Sequence, residues 1–275
     1  MWVITEPLSV EFMQRALAGG LIVAVLCAVA GTWVVLRGMA FLGEAMAHGM
    51  LPGVAVAVLL GLPGPAGAVV AAGGMATGIG LATRRGRVSQ DTAIGLLFVA
   101  MLALGVVIVS SVRAFPVDLT DILFGDILAL RWSDIAVLAV IAPMVVGTFA
   151  LAHRPLTALA FDPRIAHTLG LRPRPTAAIL LGGIAVSIVA SYQSVGTLLV
   201  VGLLVAPPAA AAPWARSIGA MMVLAAGIAG ISVLVGLLVS WHASWAAGAS
   251  IALTAIGAFA ISAAARTGRD RIRLR

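Results

Sequence analysis

Long apolar runs, separated by short polar or arginine-bearing breaks, set the pattern of this chain. The first run covers residues 12–36 and stops at Arg37. A second carries Glu44 and His48 and fades at the turn Gly61-Leu-Pro-Gly-Pro65. Runs over 66–82 and 92–111 follow, with Arg84, Arg85 and Arg87 between them. Residues 113–134 read as a mixed loop around a short apolar piece from Ile122 to Leu130, and a fifth run covers 135–152. Beyond the polar stretch 153–175 come runs over 176–190, 195–206, 217–240 and 245–264. The run 195–206 is short, and Pro207-Pro208 is expected to break it. Period-two alternation is absent, and most runs approach the roughly 20 residues that cross a bilayer as helix. Helices are then the only spanning structure the pattern allows. The predicted fold is an all-α integral membrane protein, a polytopic bundle of about eight or nine transmembrane helices forming a single domain over 1–275.

Composition agrees. The chain is 62% hydrophobic and only 10% charged, against about 25% charged in soluble domains. Its net charge of +7 does not point to nucleic acid, because the arginines lie between and after the apolar runs. Basic residues flanking spans mark cytoplasmic loops. That places Arg37, the loops at 84–87 and 153–175 and the tail 266–275 inside, and the acidic loop 113–134 outside, with the N-terminus also outside. Cys27 is the single cysteine, so there is no disulfide framework and no cysteine metal cluster. The first eleven residues hold Glu6 and Glu11 and no basic stretch, which predicts no cleavable signal peptide.

Chemistry concentrates at one place. Glu44 and His48 are four residues apart within an apolar run, so a helix puts both on one face, one turn apart. Ionisable groups inside a span cost about 2.5–3.5 kcal/mol on insertion scales, which makes the pair the leading functional candidate. Three readings stand: direct contact with a divalent metal, a Glu–His pairing that neutralises buried charge, and a proton relay. Carboxylate plus imidazole suits zinc, manganese or iron. Two ligands do not complete a coordination shell, so a two-fold homodimer bringing two pairs together is expected. Asp118, Asp121 and Asp126 form an outer acidic group that could funnel cations or meet a partner protein. His242 sits between Trp241 and Trp245, which read as an interfacial belt. Gly49-x-x-x-Gly53 and Gly74-x-x-x-Gly78 fit small-residue helix packing. In the loop 161–171, Asp162 can cap a short helix opened by Pro163 and ended by Gly170. No phosphate-binding loop, nucleophile elbow or H-E-x-x-H motif is present, so any nucleotide-driven engine is a separate polypeptide.

Several stretches in order carry a family resemblance: Phe12-Met-Gln-Arg-Ala-Leu, Gly43-Glu-Ala-Met-Ala-His-Gly-Met-Leu-Pro-Gly53, Asp91-Thr-Ala-Ile-Gly-Leu-Leu-Phe98, Asp121-Ile-Leu-Phe-Gly-Asp-Ile-Leu128, Phe161-Asp-Pro, Leu169-Gly-Leu171 and Ser194-Val-Gly-Thr-Leu-Leu-Val-Val201. Over nearly its whole length the chain resembles the zinc/manganese-type permease family of ATP-binding-cassette importers. The resemblance implies a multi-pass permease of the bacterial inner membrane, built as a homodimer. Its implied partners are a cytoplasmic ATPase and an extracytoplasmic metal-binding protein. No permanently bound cofactor is implied: the divalent metal, zinc or manganese and possibly iron, is cargo, and ATP is used by the partner. It implies Glu44 and His48 as metal contacts and Phe161, Asp162, Pro163, Ala166 and Gly170 as the ATPase-coupling residues. The family usually has Asp where this chain has Glu44. Its last span often opens on an acidic residue and a Pro-x-Gly turn, whereas this chain reads Ser244-Trp-Ala-Ala-Gly248. A metal-chelate or siderophore importer and a proton-coupled cation carrier are the alternative functions.

Overall fold

The computed structural model describes residues 6–7, 9–83, 88–111, 126–161 and 172–273, and every regular element among them is helical. In chain order these are α1 (Glu11–Leu36), α2 (Leu42–Gly49), α3 (Leu51–Leu59), α4 (Gly64–Thr83), α5 (Gln90–Ser110), α6 (Trp132–Leu151), α7 (His153–Phe161), α8 (Pro173–Val195), α9 (Thr197–Ala211), α10 (Ile218–Ala243) and α11 (Ala247–Arg273), with a 3-10 turn at Ile127–Ala129. Eight helical stretches among the described residues are long and apolar enough to cross a membrane, counting Leu42–Leu59 as one.

Polar residues punctuate these helices as backbone physics requires. Ser89 accepts from the Thr92 N–H at 3.1 Å and Ser217 from the Ala220 N–H at 3.2 Å, each satisfying an otherwise unpaired donor in a first turn. The C-terminus of α1 closes at Gly38, whose φ of +64° is one that glycine adopts without steric cost. There the Met39 N–H reaches the Val34 carbonyl at 2.9 Å and the Gly38 N–H reaches Val35 at 3.1 Å, so two last-turn carbonyls are paired. Hydroxyls inside the spans bond back to the carbonyl four residues earlier: Thr32 to Ala28, Ser187 to Gly183, Ser232 to Ile228. In hydrocarbon there is no water to take that role.

Two helices form the centre. α1 is largely buried, and α9 has ten of its residues, from Thr197 to Ala211, in the interior. α1 packs on α6, α8, α9 and α10, while α11 lies along α9 and α10. At the α1–α9 crossing the backbones nearly touch: a Cβ on Gly31 would collide with the Leu204 carbonyl.

Here a sequence expectation fails. α9 does not break at Pro207-Pro208 but runs through both to Ala211. Pro208 offers no N–H to the Leu204 carbonyl, which is the carbonyl that lies against Gly31. A neighbouring helix thus covers the backbone group that the proline leaves open, as happens in membrane interiors. α9 has 15 residues, about 22 Å of helix, short for a bilayer. It is nonetheless held alongside α11 at both ends, with Leu199 near Gly248 and, at the far end, Ser262 donating to the Ala210 carbonyl at 2.7 Å. The stretch 153–175 also departs from the loop reading, because its first part is α7. The short helix expected from Asp162 to Gly170 lies outside the described residues, as does the loop 84–87.

The glycine pairs serve packing within this chain. Gly53 of α3 faces Gly67 of α4, each where a Cβ would strike the other's backbone carbonyl. Gly49 faces the Met75 sulfur and Gly78 faces Leu97, but Gly74 has nothing within 4 Å.

Candidate functional site

The second span is broken in the middle, immediately after His48. Pro52 stands near the start of α3 and has no N–H to give to residue 48, and its ring crowds that turn. The chain therefore ends α2 at Gly49, passes through Met50 and restarts as α3. Glu44 and His48 occupy the two ends of one turn of α2. Nε2 of His48 lies 2.7 Å from Oε1 of Glu44. The apolar face of α2 is buried, with Leu42, Gly43, Ala45, Met46 and Ala47 all inside. A Cβ on Gly43 would come within 2.8 Å of Leu204 on the central helix. That close seat fixes the rotation of α2 and turns the polar pair away from the core.

The pair faces α5. The His48 ring sits edge-on to Phe98 at 6.1 Å between centroids, and Phe98 in turn meets Phe41 at 5.3 Å. Neither polar side chain is sealed: within the single chain Glu44 keeps 39% of its side-chain surface exposed and His48 keeps 24%. Among the described residues no group of three or more His, Cys, Asp or Glu is placed to hold a metal ion. The chain by itself brings two donors together.

Other residues singled out from sequence are dispersed. Asp126 caps the 3-10 turn, accepting from the Leu128 N–H at 2.9 Å. Asp118 and Asp121 lie outside the described residues, as do Asp162, Pro163, Ala166 and Gly170. Phe161 ends α7 and is 80% exposed. His242 hydrogen-bonds through Nδ1 to the Leu238 carbonyl at 2.8 Å on its own helix. Ser244 ends α10 in the left-handed region at φ 55°, where the family resemblance would place a proline-glycine turn.

One residue near the site was read from sequence as an orientation marker alone. The Arg37 guanidinium is half-buried at the end of α1, and burial pulls it below the ordinary arginine range. It donates from Nη1 to the Leu159 carbonyl of α7 at 2.8 Å and from Nη2 to Oε1 of Gln90, at the start of α5, at 2.9 Å. The ends of α1, α5 and α7 therefore meet on one side, the side assigned to the cytoplasm. A basic residue closing an apolar run looks the same whether it is solvated or clasped, so no signal in the sequence separates the two.

A cavity of about 490 Å³ opens between α4, α6 and α8, walled by Ala72, Leu138, Ala185 and Val189, with Asp134 and Ser194 as its polar members. Glu44 and His48 do not line it.

The chain is similar to known proteins along nearly its whole length. The model of the ABC 3 transport family matches residues 9–266. The chain is 37% identical over 257 residues to the manganese transport system membrane protein MntC of Halalkalibacterium halodurans, across 94% of this chain and 88% of that one. It is 33% identical over 250 residues to the chelated iron transport system membrane protein YfeD of Yersinia pestis, across 91% and 84% of the two chains. Among solved structures, PsaBC from Streptococcus pneumoniae in complex with Fab shares the fold with a TM-score of 0.81 at 31% identity, over 94% of each chain. With eight helices of spanning length among the described residues and a family match along nearly its whole length, the chain belongs to the ABC 3 transport family and is a multi-pass permease of the plasma membrane.

Proposed function

We propose that this permease moves a divalent transition metal ion, manganese first and iron next, inward across the membrane, with Glu44 and His48 as the side chains the ion meets. The observation that carries the reading is an ionisable pair left partly uncovered inside a span. A carboxylate facing lipid is strongly disfavoured, so the open side of the pair faces an aqueous path or a second copy of the chain. The names of MntC and YfeD, transport proteins for manganese and chelated iron, support a metal cargo. Carboxylate and imidazole are both ligands that manganese and iron accept.

Two donors require more ligands, and a two-fold homodimer would supply a second pair from an identical α2. Energy would come from a cytoplasmic ATPase, and the ion from an extracytoplasmic binding protein. The exposed Phe161 at the end of α7 is the described part of the surface on which the ATPase would sit, with Asp162, Pro163, Ala166 and Gly170 next in sequence. Asp118 and Asp121 remain candidates for the outer funnel, whereas Asp126 already serves its own turn.

The test is uptake of radioactive manganese into vesicles holding the complete transporter. Glu44→Gln and His48→Ala should each abolish most of the uptake while ATPase assembly persists. Uptake intact in both variants would remove these residues from the ion path. YfeD's name makes a chelate the second reading. Stimulation of the ATPase by a binding protein loaded with the chelate, and not by one loaded with free manganese, would favour it.

A further inference from the structure

Arg37 joins the ends of three elements, α1, α5 and α7. α7 is held against α1 at both of its ends. At its start the fully buried Trp33 packs edge-on against His153 at 5.9 Å. Near its end the Arg37 guanidinium takes the Leu159 carbonyl at 2.8 Å. The same guanidinium holds Gln90 at the first residue of α5. Eight residues along α5, about 12 Å of helix, Phe98 packs on His48 and Phe41. In the other direction along the chain, Arg37 is followed by the Gly38 turn and then by α2 itself. The guanidinium is therefore a polar link between the helix bearing Phe161 and both elements that define the Glu44–His48 pair.

The chemistry of the side chain fits this role. Leu159 O and Gln90 Oε1 are separate acceptors taken by two different nitrogens of one planar fork. A lysine ammonium is a point donor on a flexible stem and does not present two fixed directions. Charge-assisted hydrogen bonds of a half-buried guanidinium are also stronger than neutral ones, so the link resists shear.

We propose that Arg37 is a positioning residue for transport: it ties α7 to α5 and α2, so that a displacement of α7 reaches the Glu44–His48 pair. The inference rests on the metal-permease reading above and adds the route by which the cytoplasmic side is linked to the ion contacts.

The experiment compares wild type, Arg37→Gln, Arg37→Lys and Gln90→Leu as complete transporters in phosphatidylethanolamine–phosphatidylglycerol vesicles, with manganese as the probe. The readout is manganese taken up per ATP hydrolysed, which a change in the amount of folded complex does not move. Arg37→Gln is expected to lower this ratio by about tenfold, the size of an ordinary coupling energy, while ATP hydrolysis stays within about twofold of wild type. Arg37→Lys should recover part of the ratio, and Gln90→Leu, which removes one of the two acceptors, should fall between. An unchanged ratio in Arg37→Gln and Gln90→Leu, with uptake and hydrolysis falling together or not at all, overturns the inference. A wild type without ATP-dependent uptake of either manganese or iron overturns the metal-permease reading and this one with it. A coupled wild type with coupled variants overturns this one alone.

Discussion

Nε2 of His48 lies 2.7 Å from Oε1 of Glu44, one turn back on α2. The contact is local, made by two residues of one helix, yet its position is set from elsewhere. Gly43 seats α2 against Leu204 of the central helix, and Pro52, one turn past His48, ends that helix at Gly49. The two side chains thus end at a break in the span with one side open.

The first prediction concerns the length of the acid. Glu44→Asp shortens the side chain by one methylene and draws its oxygens back from Nε2 of His48. Manganese uptake should fall by roughly tenfold, equivalent to about 1.4 kcal/mol, with less effect than Glu44→Gln. Uptake kinetics in vesicles separate the three proteins, and Asp behaving like Gln would show that position, and not charge alone, is required.

Packing of the broken span against α4 supplies the second. Gly53→Val places a branched side chain against the Gly67 carbonyl and Ala71. A cost of about 1–3 kcal/mol is expected, read as a lower thermal midpoint of the purified protein. Gly74→Ala, with nothing within 4 Å, should leave the midpoint unchanged or raise it. Equal losses in both would mean that small residues are needed generally and not at the α3–α4 crossing.

The third is at the C-terminal end of α9. Trp214 Nε1 donates to Ser262 Oγ at 2.7 Å, and Ser262 donates to the Ala210 carbonyl at 2.7 Å. Ser262→Ala removes both bonds at once and should cost about 1–2 kcal/mol. Trp214 fluorescence should report the loss, because the indole N–H then has water as its partner.

Phe161 gives the fourth. Its side chain is 80% exposed, so Phe161→Glu should leave the stability of the isolated permease within about 0.5 kcal/mol. Recovery of the ATPase with the permease should fall by at least about tenfold if the ring is buried on docking, since such aromatic anchors carry 2 kcal/mol or more. Undiminished recovery would place the ATPase contact elsewhere.

Much of the fold was legible. Apolar runs near 20 residues leave helices as the only choice, and the breaks at Arg37 and at Gly61 to Pro65 coincide with the ends of α1 and α3. The i, i+4 spacing of Glu44 and His48 already put both on one face of a helix, one turn apart. The misreadings have separate causes. Pro207-Pro208 breaks a helix in water, but against Gly31 the open carbonyl of Leu204 is covered and α9 continues. α7 was hidden because His153 and Arg154 give its start a polar look, although Leu156 and Leu159 are buried.

Hydropathy and the four-residue spacing thus determined the class, the spans and the polar pair, because these depend on local pattern and on solvent. Tertiary structure alone decided that Arg37 is clasped by Leu159 and Gln90, that Gly53 answers to Gly67 within one chain, and that the polar pair looks towards Phe98 with one side open. Those are contacts between residues 14 to 122 positions apart, since Gly67 follows Gly53 by 14 and Leu159 follows Arg37 by 122. No local periodicity encodes which helix comes to lie against which.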